Sequence, residues 1–389
     1  MRRPSFKRSF ICDRGAAGPC QVQHLVTGKA CLLAPAPELC SGEVECVAEL
    51  DQHVQGHHEA ERVFAPLVVD QVLDYCMRQV ATWADEGRVA TLADLETIAC
   101  RHLNLEFEEI WSDDDIEQLV RKYAEQGEFA FAYIRTAFDG ETFGTTLIRD
   151  NVAPGVKSYV AFIDCRGPKA HRRYFTRWHE IAHLLTLPPQ PGEPVNRSPL
   201  GRCPIEQLMD KIAAVVGFYD PIFRPALEGY LGSGPLGFRV VEQIRRDHCP
   251  TASFQSTLIA CARRAPVPAI YVEVAMGYKK EEAEKVYSPQ MTLFPVELPE
   301  ARLRIQNATG NDEAKRIRLR LDRNMEVPET SVFARLFGGE VDRGSSTDLS
   351  GYESLSMWQH SDGSTLGNTN IFVHARRLPS MLFGLVVPV

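Results

Sequence analysis

The sequence predicts an α+β fold, because long stretches with helical periodicity are followed by shorter stretches that alternate with period two. Apolar residues recur every three or four positions through 66–86 and 93–102, as they do along one face of a helix. Residues 302–305 and 316–321 alternate basic and apolar side chains, the pattern of a half-buried strand. We therefore expect a mainly helical core with a small, mostly antiparallel sheet. A helical segment and a C-terminal β-rich α+β domain should follow it.

Length, charge and cysteine usage predict a cytoplasmic protein of several domains. A chain of 389 residues is long enough for two or three domains with cores of their own. The net charge of −8 argues against nucleic-acid binding by the surface as a whole. No apolar run reaches the roughly 20 residues of a membrane helix, and no secretory signal is evident, so we expect no membrane partner. The 11 cysteines form no CxxC pair, which favours reduced thiols.

The first 58 residues carry no clear period. Cysteines and histidines are scattered there among glycine, proline and alanine, without the spacing of a zinc finger. We expect residues 1–58 to form a poorly ordered extension.

Regular elements follow from about residue 60. A third helix should begin after Ser112, because Ser112 and Asp115 have the spacing of a capping box. Strands and a hairpin turn are predicted next, with strands at 128–135, 143–149 and 157–164 and the turn at Asp139-Gly140. This sheet leads directly into the next helix. An extended peptide can pair with an exposed sheet edge at such a place.

That next helix contains a metal-binding motif. Residues 179–183 read His-Glu-Ile-Ala-His, and two histidines four residues apart on a helix can reach one metal ion. Glu180, beside the first histidine, can act as a base on a metal-bound water. Both histidines lie off the apolar stripe of the helix, which is formed by Phe175, Trp178, Ala182 and Leu185. The pattern predicts a zinc metallopeptidase with His179 and His183 as ligands.

A second amphipathic helix, at 205–216, offers the third ligand that a catalytic zinc needs. Glu206 and Asp210 are one turn apart on its polar face. We assign Glu206 as the ligand and Asp210 as a hydrogen-bond partner that fixes the tautomer of a ligand histidine. Asp210 itself is the main competing ligand, and Cys203 and Glu193 are weaker ones.

The helix with the His-Glu-x-x-His motif and the helix at 205–216 together resemble the gluzincin metallopeptidases. They resemble more closely the ImmA/IrrE family, once called domain of unknown function 955. The family reads Arg-x-Phe-Thr-x-x-His-Glu-x-x-His-x-Leu, and residues 173–185 match that pattern. The second family block begins Glu-x-x-x-Asn-x-x-Ala-Ala, and residues 206–214 match it with Asp210 at the asparagine. The sequence departs at 217–221, which read Gly-Phe-Tyr-Asp-Pro where the family has Leu-Leu-Met-Pro.

The resemblance implies a zincin-like peptidase domain over 59–232. Residues 233–287 are similar to the helix-turn-helix-like segment of IrrE-type regulators, and 288–389 to their small sensor-like domain. The helical segment and the strands of the last domain are locally rich in arginine. Direct DNA binding by these regions is left open, because no clear recognition helix is evident.

The implied function is a zinc-dependent endopeptidase with a regulatory role, which cleaves a protein partner such as a helix-turn-helix transcriptional repressor. One zinc ion per chain is expected, although another divalent metal such as manganese or iron could occupy the same ligands. Glu180 would serve as general base. The group that steadies the oxyanion is left open among four candidates, Tyr174, His171, Tyr219 and His248.

The alternative is a non-catalytic, zinc-containing regulator that acts by binding DNA or a partner protein. Glu180 argues against it, because a purely structural zinc site needs no general base.

Overall fold

The structure is a computed structural model. It describes residues 66–389 apart from 139–141, 150–151, 153, 187–194, 197–203, 233, 280–281, 284–285, 287–298, 340–346, 360–363, 365 and 379–380. Several sequence predictions therefore lie outside the described residues: the extension at 1–58, the turn at Asp139-Gly140, and the competing ligands Glu193 and Cys203.

The chain folds into two compact units, Met1–Ile222 and Phe223–Val389. Helices and two small sheets are both present, so the predicted α+β class is confirmed. The finer domain boundaries expected between residues 232 and 233 and between residues 287 and 288 stay predictions. None of the helices among the described residues is long and apolar enough to cross a membrane.

The described part of the first unit contains six α-helices that are placed wholly within it. These are α1 (Pro66–Gly87), α2 (Leu92–His102), α3 (Asp113–Glu125), α4 (Ile134–Ala137), α5 (Arg173–Thr186) and α6 (Pro204–Val216). The capping box predicted at Ser112 is confirmed at the start of α3, and Thr91 with Asp94 forms another at the start of α2. The side-chain oxygens satisfy backbone N–H groups that a helix N-terminus leaves without partners.

The first sheet has the strand order β1-β3-β2-β4. Its strands are β1 (Leu105–Ile110), β2 (Gly144–Ile148), β3 (Tyr159–Asp164) and β4 (Val195–Asn196). The β2–β3 and β2–β4 pairings are antiparallel, whereas β1 runs parallel to β3. On one face, Leu147, Val160 and Phe162 pack into a core with the apolar side of α3. Since successive residues of a strand face opposite ways, Gly144 and Thr146 face α5 on the other side.

Strand β1 was not predicted, because three of its six residues are glutamates, which have low strand propensity. Tertiary ion pairs stabilise each glutamate in the strand. Glu106 accepts from Arg149, Glu108 from Lys122, and Glu109 from Arg173 and Arg177. The last two arginines lie on α5, so β1 helps to fix the helix that carries the metal-binding motif.

The strand predicted at 128–135 is wrong. Residues Phe129–Tyr133 form a 3-10 helix that continues into α4. The alternating aromatic residues indicated a strand, but Phe129 is 74% exposed. Phe131 and Ile134 are fully buried and lie three residues apart, which is a helical spacing.

The second unit contains a five-stranded antiparallel sheet with the order β6-β5-β9-β8-β7. Its strands are β5 (Ile270–Gly277), β6 (Arg302–Gly310), β7 (Asp348–Ser354), β8 (Asn370–Arg377) and β9 (Leu382–Pro388). Its helices are α8 (Phe238–His248), α9 (Phe254–Arg264), α10 (Asp312–Arg316) and α11 (Val332–Gly338), and α7 (Asp220–Leu231) crosses the division between the units. Phe238 of α8, Phe254 of α9 and Phe383 of β9 pack their rings together on one face of the sheet.

The strand predicted at 316–321 is also wrong, although inward and outward side chains do alternate over 318–321. Arg316 ends α10, Ile317 and Arg318 form a turn, and the chain continues without a regular element. Leu319 and Leu321 are nevertheless buried, while Arg318 and Arg320 are exposed. An extended chain turns successive side chains to opposite sides, whether or not it pairs with a sheet.

A buried ion pair at the end of β3 stabilises the turn that leads into α5. The carboxylate of Asp164 is 1% exposed and accepts hydrogen bonds from Arg166 (2.8 Å and 2.9 Å) and from Lys169 (2.8 Å). Burial by itself raises the pKa of Asp164, but these hydrogen bonds outweigh it and hold the pKa below its usual range.

We predict that Asp164→Asn lowers the free energy of unfolding by about 3 kcal/mol at neutral pH, because it removes the buried negative charge with which Arg166 and Lys169 pair. A carboxylate with a lowered pKa stabilises the fold above its unfolded pKa of about 3.9, and this contribution is lost as the pH falls through the folded pKa. The difference between wild type and variant should therefore shrink in acid, as measured by urea unfolding at several pH values.

Asp113→Asn is the matched control. Asp113 pairs with the same Arg166, but its side chain is 86% exposed, so we expect a loss below about 1 kcal/mol. Equal losses for both variants would contradict the role assigned to burial.

Candidate metal centre

Helix α5 is buried along most of its length, and this determines where its histidines point. Every residue from 178 to 186 is buried. The apolar stripe predicted from the sequence is present, but the side of the helix that carries His179 and His183 is buried as well. It packs against α6, which brings Glu206 towards both histidines.

The two histidines and Glu206 converge on one point. Nε2 of His179 lies 3.1 Å from Nε2 of His183 and 3.0 Å from Oε2 of Glu206. Nε2 of His183 lies 3.5 Å from Oε1 of Glu206. Four ligand atoms placed tetrahedrally at about 2.0–2.1 Å from a metal lie roughly 3.3 Å apart, so these spacings fit one metal ion.

The chemistry of the group also fits a cation. Two imidazole nitrogens and a carboxylate, all buried, have lone pairs directed at a shared space. Burial by itself raises the pKa of Glu206, but hydrogen bonds with His179 and His183 outweigh it and hold the pKa well below its usual range. Glu206 is thus an ionised ligand at neutral pH, and the group could hold a metal ion.

Asp210 lies one turn after Glu206 and contacts the other side of the first histidine. Its Oδ1 is 2.8 Å from Nδ1 of His179. With a metal bound, His179 would carry its proton on Nδ1 and donate it to this carboxylate, which leaves the lone pair of Nε2 for the metal. Asp210 is therefore placed to orient a ligand, and it is not a member of the group that faces the metal position.

Glu180 is fully buried beside this group, and the sheet holds its carboxylate. Oε2 accepts a hydrogen bond of 2.7 Å from the hydroxyl of Thr146 on β2. Oε1 is buried and has no hydrogen-bond partner among the described residues. Burial raises the pKa of Glu180, and the charges of His183 and His179 and the Thr146 hydrogen bond offset part of the effect.

Gly144 on the same strand leaves room for this carboxylate. A Cβ at Gly144 would lie 2.7 Å from Oε1 of Glu180 and 2.8 Å from a methyl carbon of Thr176, closer than real contacts allow. Sequence reasoning missed both Gly144 and Thr146. The one available signal was the polar Thr145-Thr146 pair inside a predicted strand, since buried hydroxyls there need partners.

The four candidate oxyanion donors are placed differently from one another. Tyr174 is buried and donates its hydroxyl hydrogen bond to the carbonyl of Gly217, while His171 is exposed. Tyr219 is buried, and its pKa is raised first by burial and then by the charge of Asp85. His248 lies in the second unit, at the end of α8, where its ring packs edge-on against Tyr230. None of these contacts involves His179, His183 or Glu206.

Gly217, directly after α6, lies in a closely packed position. A Cβ at Gly217 would lie 2.7 Å from the carbonyl oxygen of Ala213 and 2.9 Å from the ring of Trp178. Trp178 is 1% exposed and fills the space beside Gly217. A larger residue at 217 would therefore displace the tryptophan that directly precedes His179.

The sheet edge beside Glu180 is already paired. The two residues of β4 pair with β2, with Thr145 opposite Asn196 and Thr146 opposite Val195. An extended peptide at this edge would have to extend β4 or take its place.

No protein-family model matches the chain, and no curated protein matches it.

We predict that the protein binds about one equivalent of a divalent metal, and that Glu206→Ala abolishes binding because it removes one of three ligands. Asp210→Asn should weaken metal affinity about 10- to 100-fold, because the ligand histidine loses the partner that orients it. Elemental analysis and competition with a chelator measure both effects.

Glu180→Gln is the control, because Glu180 is not one of the three grouped ligands and the amide fills the same volume. We expect it to retain metal at the wild-type level. Unchanged affinity in Glu206→Ala would contradict the assigned ligand set.

Proposed function

We propose that this protein is a zinc-dependent endopeptidase of the ImmA/IrrE type. The observation that carries the proposal is a buried carboxylate without a metal-ligand role, Glu180, adjacent in sequence to one of three converging metal ligands. Its Oε2 is held by Thr146, and its Oε1 has no hydrogen-bond partner in the described part of the chain. A site that only had to bind a structural metal would not need this buried carboxylate.

His179, His183 and Glu206 would hold the zinc, a donor set of two imidazoles and one carboxylate that is typical of catalytic zinc sites. When bound, zinc supplies a Lewis acid that makes water acidic near neutral pH and polarises the peptide carbonyl. Asp210 keeps the His179 ring in the tautomer that presents Nε2.

Glu180 is the general base in this proposal. Its carboxylate accepts the proton of the attacking water and returns a proton to the leaving amine. The Thr146 hydrogen bond restricts rotation of the carboxylate, so that the group does not need to be oriented anew in each cycle.

The substrate in this proposal is a protein partner in the cytoplasm, such as a DNA-binding repressor, and the cleavage is regulatory. The family resemblance supports this assignment. The pairing of β4 with β2 adds support for restricted access, because this edge of β2 is where an extended substrate would lie.

The test is a comparison of new protein N-termini in cells that express the wild type or Glu180→Gln at equal levels. We expect one or a few cleavage sites that depend on the wild type and are absent with Glu180→Gln, because the metal is retained but the base is lost. Purified protein should then cut the identified partner, lose the activity with a chelator and regain it with zinc.

A non-catalytic regulator gives the opposite result. Glu180→Gln would then retain the full biological effect, with no cleavage by either form, and the peptidase proposal would be wrong.

We also predict that Thr146→Val lowers kcat at least about tenfold, since the loss of one hydrogen bond to a charged group corresponds to about that factor. Thr146→Ser keeps the hydroxyl and should retain most of the activity. Both variants should bind metal as the wild type does, with little change in KM. A similar loss of kcat in the valine and serine variants would indicate a packing role for Thr146 and contradict the prediction.

A further inference from the structure

A groove of about 920 Å³ lies in the second unit, beside the edge strand β6. One wall is the part of β6 that carries Gln306, Asn307 and Ala308. The other wall is the segment 315–323, which begins in the last turn of α10. This volume lies within the range of small-molecule binding sites, roughly 300–1,000 Å³.

The charge of the groove is strongly one-sided. Four of its lining residues are cations, Lys315, Arg318, Arg320 and Arg323, and one is an anion, Asp322. Asp322 already accepts a hydrogen bond from Arg320, and Lys315 pairs with Asp312. Within the described parts of the chain, the guanidinium groups of Arg318 and Arg323 have neither an ion pair nor a hydrogen bond. Two guanidinium groups are therefore available to an anion in the groove.

The backbone at Arg318 is held in a conformation that side chains disfavour. Its φ is 58°, in the left-handed region where glycine is the usual residue. Leu319 and Leu321 on either side of Arg320 are anchored in the core of the second unit. Strain of this kind is typical of functional segments when the surrounding structure enforces it.

The remaining walls indicate the rest of the ligand. Ala308 is partly exposed and supplies a small apolar surface, and Gln306 and Asn307 supply amide groups that can donate and accept hydrogen bonds. Guanidinium groups bind phosphate oxygens in pairs, and apolar and amide surfaces suit a planar polar ring. We propose that this groove binds a small polyphosphorylated molecule of the size of a nucleoside triphosphate.

The charges that flank the segment 315–323 favour a short polyanion over a nucleic acid as the ligand of the groove. The basic segment is bounded in sequence by Asp312 and Glu313 on one side and by Glu326 and Glu329 on the other. A duplex would need positive charge that continues beyond the groove, because its affinity depends on many phosphate contacts. A peptide strand is disfavoured as well, because residues 324–327 already pair with one end of β6.

The test is calorimetric titration of the full-length protein with sodium tripolyphosphate and, separately, with ATP, at about 0.15 M salt, where weak surface attraction is screened. We expect saturable binding of both, tighter for ATP. Arg318→Gly and Arg323→Gln should each weaken it about tenfold or more, since each removes a charged hydrogen-bond donor. Arg318→Gly should fold at least as well as the wild type, because glycine relieves the left-handed backbone, and thermal unfolding checks this.

Arg316→Gln is the matched control. Arg316 lies on the same segment and carries the same charge, but it pairs with Glu313 and does not line the groove. We expect its affinity to stay within about twofold of the wild type. Three results would each overturn the proposal. They are the absence of saturable binding, an equal loss of affinity in Arg316→Gln, and binding of polyphosphate with the same affinity in the Arg318 and Arg323 variants as in the wild type. The last result would be expected if the polyphosphate bound directly to the metal. If the protein bound a DNA duplex more tightly than ATP, the segment 315–323 would instead be a nucleic-acid-binding surface.

Discussion

The packing of α5 against α6 is the constraint on which the first unit depends. It buries two imidazoles and the carboxylate of Glu206 in one helix interface, and the carboxylate of Glu180 is buried beside them against β2. Polar groups without partners are costly in such places. His179, His183 and Glu206 meet that requirement by converging on one position. Of the two carboxylate oxygens of Glu180, one meets it by accepting a hydrogen bond from Thr146. Such an interface is stable only if its groups are placed accurately. The same accuracy is what a metal ligand set and a general base require.

The elements around this interface act as its support. Arg177 of α5 reaches Glu96 on α2 and Glu109 on β1, so the helix is tied to two further elements. Positions 144 and 217 need glycine, because Glu180 and Trp178 occupy the space that a larger side chain would fill. Asp164 fixes the turn from which α5 begins. In each case a residue outside the metal centre limits how far a residue within it can move, which is how preorganisation arises in a folded protein.

The second unit presents a different surface chemistry. Its sheet buries an apolar core, while the segment 315–323 places cations along a groove at the β6 edge. The alternating sequence at 316–321 predicted a strand, and this was wrong because α10 and a left-handed residue interrupt it. What the alternation did predict is the inward position of Leu319 and Leu321 and the outward position of Arg318 and Arg320. The proposed anion groove and the proposed peptidase site use separate sets of residues, so each can be tested without the other.

The sequence alone determined the residues that depend on local spacing. Histidines four apart on a helix and Glu206 one turn before Asp210 are periodic relations, and the α+β class follows from periodicity too. Capping at Ser112 is equally local. Only the tertiary structure decided which residues lie beside Glu180, because Thr146 and Gly144 are more than 30 positions away and reach it through strand pairing. It also decided that β1 is a strand, since its glutamates are stabilised by arginine and lysine from distant elements. Long-range contacts of this kind leave no period in the sequence, and for that reason periodicity could not predict them.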